Sequence, residues 1–153
     1  MNTDASQTYD CLKISNQLCF PLYAAAKEVV RRYKPFLDEI DLTYTQYITM
    51  MILWEQGESN VKELGECLYL DSGTLTPLLK KLEQKGLILR HRSQQDERNL
   101  MVSLTEEGWA LREQAATIPP RMGACVCLSA EEALTLHTLL YKVLGNISPK
   151  EEA

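Results

Sequence analysis

The hydrophobic period changes abruptly at Gly86, and that change constrains the fold more than any other feature of the chain. Before it, in "GTLTPLLKKLEQK", Leu75, Leu78, Leu79 and Leu82 recur at i, i+3, i+4 and i+7, the stripe of a helix that buries one face. After it, "LILRHR" and "NLMVSL" alternate or run apolar and are β-prone, with the polar "SQQDER" between them. A helix therefore gives way at once to a two-stranded hairpin with a basic tip. At about 3.6 residues per turn, the helix turns Gly73, Pro77, Lys80 and Gln84 away from its leucines and carries Thr76 and Lys81 on its flanks. A helix start dressed with Ser72, Gly73 and Thr74, and a lysine-bearing outer face, suits a phosphate backbone and a groove.

The segments around this pair carry their own stop and start signals. Val29, Val30, Tyr33, Phe36, Leu37 and Ile40 recur at helical spacing, so a first helix is expected from about Phe20 to Asp38, bent or shortened by Pro35. Thr43-Tyr44-Thr45-Gln46 is a capping-box pattern opening "QYITMMILWEQ", which Gly57 closes. Asn60 opens a short third helix, and Asp71-Ser72 caps the leucine-striped one. Beyond Thr105 come "EEGWALREQAA", a break at Pro119-Pro120, and a last helix from Ser129 to about Asn146. Three helices, a basic-faced helix and a hairpin are the order of a winged helix-turn-helix, mainly α with a small β-hairpin wing (α+β). We read residues 1–153 as one domain, 42–104 as a DNA-binding lobe, and 10–40 and 106–148 as dimerisation helices. A two-fold protein is favoured by pseudo-palindromic DNA.

The net charge of −5 speaks at first against nucleic acid. Its distribution does not: Lys80 to Arg98 holds six Lys/Arg against three acids, leaving that stretch at +3 and the remainder at −8. By itself a charge run is usually no more than a solvated face. No apolar run approaches the ~20 residues of a membrane span, and Met1 to Asp10 is polar, without a signal-peptide pattern. A soluble, cytoplasmic protein with no membrane partner is expected. Five cysteines in that compartment stay reduced, and an odd count without CxxC argues against a zinc ribbon. No metal or cofactor site is expected.

Cys19, in "NQLCF", precedes Pro21, a residue favoured in the first turn of a helix, where unpaired N–H groups favour a thiolate. Tyr23, Tyr33 and Tyr44 are phenols that can donate to a thiolate without adding charge. Cys67 reads as a small buried hydrophobe, Cys11 as part of a frayed terminus, and Tyr47 and Tyr69 as core packing. "GACVCLS" places Cys125 and Cys127 just ahead of the last helix.

"NQLCF.LYAA", "LTYTQYITMMILWE" and "LYLDSGTLTPLLKKLEQKGLI", followed by "DER" and "SLTEEG", resemble MarR-family repressors, and more narrowly the organic-hydroperoxide sensors of OhrR type. The likeness is dense over Asn16 to Gly108 and loose beyond. It implies that Ser72, Thr74, Thr76, Pro77, Lys80 and Lys81 lie on a helix that reads the major groove. Asp96 and Arg98 match the wing, whose arginine enters a minor groove while the acid braces it; without the resemblance they would read as an exposed turn ion pair. The resemblance further implies that Cys19 is oxidised by an organic hydroperoxide, that Tyr33 and Tyr44 contact it across a homodimer interface, and that a partner cysteine traps it. Cys125 is the favoured trap, with Cys127 or a small cellular thiol left open. The family usually has Pro where this chain has Thr45.

The expected function is thus a repressor that holds operator DNA while Cys19 is reduced and releases it on oxidation, through an intersubunit disulfide. Apolar Leu18, Phe20 and Leu22 would suit an apolar oxidant. Rival readings are a MarR-like regulator released by a phenolic molecule, a thiol peroxidase turning over at Cys19, and a metal sensor built on Cys125, Cys127 and His137. The peroxidase lacks a supporting His/Arg motif, and the metal ligands lack a common spacing.

Overall fold

A computed structural model describes residues 9–148 as seven helices and a small antiparallel sheet, in two compact units that meet in sequence between Ile118 and Pro119. In the first unit, two short 3-10 turns lead into α1 (Cys19–Asp38). They are followed by α2 (Tyr44–Gln56), β1 (Glu58–Asn60), α3 (Val61–Leu68), α4 (Ser72–Gln84), β2 (Ile88–Arg92), β3 (Leu100–Leu104) and α5 (Glu106–Ala115). α6 (Ile118–Val126) opens at the boundary, and α7 (Ala130–Ile147) completes the second unit. Among the described residues no helix is long and apolar enough to cross a membrane.

The helix boundaries follow local chemistry. Thr43 and Gln46 form the capping box of α2 through bonds of 3.3 and 3.0 Å, satisfying two N–H groups that would otherwise lack partners. Ser129 and Glu132 repeat the box at α7, and Asn60, Asp71 and Thr105 cap α3, α4 and α5 by each accepting one backbone N–H. Gly57 ends α2 at φ 80°, a left-handed conformation that costs glycine little. α1 continues through Pro35 for one more turn instead of stopping there.

The core of the first unit lies where α2, α3, α4 and the sheet converge. Met50, Leu53, Leu64, Leu75, Leu79, Leu82, Ile88 and Val102 are all buried there, as the leucine stripe of α4 requires. α5 packs at the rim through Gly108. A Cβ at that position would come within 2.1 Å of the Leu87 carbonyl oxygen, and the Gly108 carbonyl accepts the Trp54 indole N–H at 2.8 Å. α1 buries only its C-terminal end, at Leu37, followed by Ile40 and Leu42 in the connection to α2. Leu18, Phe20, Leu22, Tyr23, Val29 and Val30 are left exposed along the rest.

Several expectations need correction. The sheet has three strands in the order β1-β3-β2, not two, because "ESN" pairs with Met101 to Ser103. That strand has no apolar alternation to betray it; β3 supplies its hydrogen bonds. Pro119 and Pro120 do not merely interrupt the chain. They occupy the first turn of α6, where the missing N–H groups carry no cost. Cys67 is exposed, since α3 packs through Leu64 and through the side of Gly65 that faces Leu75. Tyr69 is exposed too, turned outward by its left-handed conformation at the end of α3. Cys11 sits in a hydrogen-bonded turn, its carbonyl accepting from the Gln17 amide, and is not frayed.

Candidate functional site

α4 presents the outer face that its sequence requires. Ser72, Gly73, Thr74, Thr76, Pro77, Lys80 and Lys81 are exposed while the leucines between them are buried. Asp71 Oδ1 accepts the Thr74 N–H at 2.8 Å, which fixes the helix start. The far end is braced twice. Lys85 Nζ reaches the carbonyl and the carboxylate of Asp41, the latter at 3.0 Å, in the connection between α1 and α2. Arg90 on β2 donates to Glu83 Oε2 from Nη2 at 2.7 Å and from Nε at 3.1 Å. That hydrogen-bonded guanidinium holds the Glu83 carboxyl below the usual range. Arg90 thus ties the end of the basic helix directly to the hairpin.

Beside this face an open groove of about 270 Å³ is lined by Thr43, Thr45, Gln46, Thr74, Pro77, Leu78 and Lys81. Three of these were expected to face DNA. Thr43, Thr45 and Gln46 were legible only as a helix cap, and it is tertiary packing that sets the cap of α2 against α4.

The hairpin tip is organised around two acceptors. Ser93 Oγ accepts the N–H groups of Gln95 and Asp96, at 3.2 and 3.4 Å. Asp96 Oδ1 accepts both the backbone N–H and the Nε of Arg98 at 3.1 Å. Arg98 is otherwise almost wholly exposed, with 91 % of its side chain accessible, so its charge projects from a tip that Asp96 stiffens. Next to the tip, His91 Nε2 on β2 lies 2.9 Å from Glu58 Oε1 on β1, a contact that reaches across β3.

Cys19 is the first residue of α1, exposed, and Leu18 before it supplies no side-chain cap. Tyr23 follows one turn later on the same face, also exposed. Tyr33 and Tyr44 meet with ring centroids 4.9 Å apart, and Tyr47 joins them at 5.9 Å from Tyr33. Tyr47 is buried core, as expected, yet it is also the third member of this cluster, which sequence reasoning missed. Burial raises all three hydroxyls above the usual phenol range, with their mutual proximity adding to it at Tyr33 and Tyr47. They stay neutral donors at physiological pH.

Within one chain the thiol and this cluster do not meet. Tyr33 lies fourteen residues beyond Cys19 on one continuous helix, about 21 Å along its axis at 1.5 Å per residue. In the second unit, Cys125 lies in the last turn of α6 and Cys127 just beyond it at φ 55°, both exposed. Among the described residues no group of three His, Cys, Asp or Glu stands close enough to hold a metal ion.

Comparison with known proteins adds four findings. The family model of the transcriptional regulators SarA/Rot matches residues 31–114. The organic hydroperoxide resistance transcriptional regulator of Bacillus subtilis is 47% identical over 142 residues, which cover 93% of this chain and 97% of that protein. Reduced AbfR bound to DNA superposes with a TM-score of 0.71 at 31% identity, covering 93% of this chain and 99% of that one. Overoxidized AbfR bound to DNA does so with a TM-score of 0.74 at 31% identity, covering 92% and 99%; AbfR is a protein of Staphylococcus epidermidis.

Proposed function

The chain belongs to the MarR and SarA/Rot family of winged-helix transcriptional regulators, and from that membership we propose that it is a cytoplasmic, homodimeric repressor whose DNA binding is switched by oxidation of Cys19. Reduced, it grips operator DNA with α4 in the major groove and the Asp96–Arg98 tip in a neighbouring minor groove. An organic hydroperoxide converts the Cys19 thiolate to sulfenic acid, which a second thiol traps as an intersubunit disulfide. Cys125 is the favoured trap and Cys127 the alternative. The altered dimer then releases its operator.

One observation carries this reading: Cys19 and Tyr33, the α1 member of the Tyr33–Tyr44–Tyr47 cluster, share a helix but stand about 21 Å apart along it. The phenols of that cluster can serve this thiol only from another copy, which supports a sensing site completed in a dimer. The exposed apolar residues of α1 support the same arrangement, as do Leu134, Leu136, Leu139 and Tyr141 on α7, since so many uncovered side chains call for a partner surface. The relatives named for hydroperoxide resistance and for reduced and overoxidized DNA-bound states support the signal.

The decisive measurement is operator binding before and after one equivalent of cumene hydroperoxide. Immediately after oxidation the wild-type protein should lose affinity by tenfold or more, whereas Cys19→Ser should bind as tightly as before and ignore the oxidant. Release of the Cys19→Ser protein by peroxide would end the proposal. A second reading draws on the groove beside α4, where Lys81 and the threonine hydroxyls suit a small phenolic acid. It requires release by such acids with no dependence on thiols.

A further inference from the structure

The two thiols at the end of α6 need not compete for one role. We propose that Cys125 and Cys127 act in succession: Cys125 captures oxidised Cys19, and Cys127 then displaces it. The oxidising equivalents end on an intrachain Cys125–Cys127 disulfide, and Cys19 returns as a thiol. The inference rests on Cys19 being the sensor.

Three observations converge on this pair. A single residue separates the two cysteines, and two Cα steps of about 3.8 Å folded at a helix end leave their Cα atoms about 5–6 Å apart. That lies within the roughly 4.4–6.8 Å a disulfide requires. Both thiols are exposed, so neither must be uncovered before reacting. Finally, Cys127 adopts φ 55° just past the helix end, a position that glycine or asparagine fills at lower conformational cost. Its N–H donates to the Gly123 carbonyl at 3.2 Å, and its Sγ lies 3.3 Å from the Ala124 carbonyl oxygen. The thiol is thereby turned back over the turn that carries Cys125. A side chain held in a costly backbone conformation beside a second exposed thiol two residues away is placed for chemistry.

The steps balance. The Cys19 thiolate takes the distal oxygen of an organic hydroperoxide, the O–O bond breaks, and the alkoxide leaves and gathers a proton; the sulfur has lost two electrons and the peroxide has gained them. Cys125 attacks the sulfenic acid, an S–S bond forms, and hydroxide departs as water with the thiol proton. Cys127, as thiolate, then attacks the Cys125 Sγ; the new S–S bond forms as the old one breaks, and Cys19 leaves as thiolate. This last step needs no further oxidant, since Cys127 is oxidised as Cys19 is reduced. It also requires no second encounter, because the attacking sulfur is tethered beside its target. An exposed disulfide in so small a ring is labile and open to reduction by cellular thiols. The pair is a reset route for the sensor.

The test uses the full-length protein with one equivalent of cumene hydroperoxide, quenched by alkylation over a time course. Trypsin should release Met122 to Lys142 as one peptide holding both cysteines. In the wild type this peptide should become lighter by two hydrogens while Cys19 becomes alkylatable again and cross-linked dimer disappears from non-reducing gels. Cys127→Ser and Cys127→Gly should hold a Cys19–Cys125 cross-linked dimer on the order of ten times longer, as loss of a tethered nucleophile predicts. The glycine variant keeps the left-handed residue, so misfolding cannot mimic the result. Equal persistence of the cross-linked dimer in wild type and both variants would overturn the relay and leave the sensor reading intact. Failure of peroxide to oxidise Cys19 in any of them would overturn both.

Discussion

The rings of Tyr33 and Tyr44 meet at 4.9 Å and are tilted by 53°, joining the helix that begins at Cys19 to the start of α2. The contact gives that junction two properties at once. It packs α1 onto α2 at the only end of α1 that the chain itself buries, and it keeps neutral phenols together far from the thiol of the same chain. In the dimer proposed above, chemistry at a neighbouring copy's thiol would act on the joint from which α2 and, through Asp41 and Lys85, the end of α4 are held. Four consequences can be measured.

Replacing Tyr33 or Tyr44 by Phe keeps the rings and removes the donor. Oxidation of Cys19, followed by trapping of the sulfenic acid, should slow by about tenfold, in line with one lost hydrogen bond to a charged group of about 1.5 kcal/mol. Unchanged rates in both variants would exclude the phenols from the sensing chemistry.

The same cluster sets a limit at high pH. Folding raises the three phenols above their unfolded value of about 10, so the native state holds these protons more tightly than the unfolded chain. Their contribution to stability is full below that value and is lost as pH rises through the raised range. An ultraviolet titration should resolve tyrosines ionising later than free phenol, with unfolding at the alkaline end. Ordinary titration of every tyrosine would contradict this.

Arg98→Ala should weaken operator binding of the reduced protein by about 1–3 kcal/mol and flatten its dependence on salt by about one unit of slope. Asp96→Ala should cost less, since it loosens the tip without removing the cation. Identical affinity and salt slope for Arg98→Ala would take the wing out of DNA recognition.

Gly108→Ala should destabilise the fold by roughly 2–4 kcal/mol, because the added methyl would lie 2.1 Å from the backbone oxygen of Leu87. Urea unfolding reads this directly. Gly123→Ala, where a Cβ meets nothing within 4 Å, is the matching control and should leave the midpoint nearly unchanged.

Much of this architecture is written in short stretches of sequence. The caps at Thr43, Asn60, Asp71 and Ser129, the leucine stripe of α4 and the polar tip of the hairpin all depend on residues within one or two turns of each other. Local hydrogen bonding and hydrophobic period therefore determine them. The exposed face of α4 is legible for the same reason, being whatever the stripe leaves over. What tertiary structure decided are the relations between segments far apart in sequence. β1 is three polar residues that become a strand only because β3 offers them partners. Cys67 lost its expected burial to the glycine face of α3, and Tyr47 became part of a phenol cluster because α1 crosses α2 at Tyr33. Neither outcome is encoded by spacing along the chain. The separation of Cys19 from its tyrosines belongs to the same class. The residues themselves are visible in the sequence, but the distance between them depends on α1 running unbroken from Cys19 past Pro35 and burying only its far end.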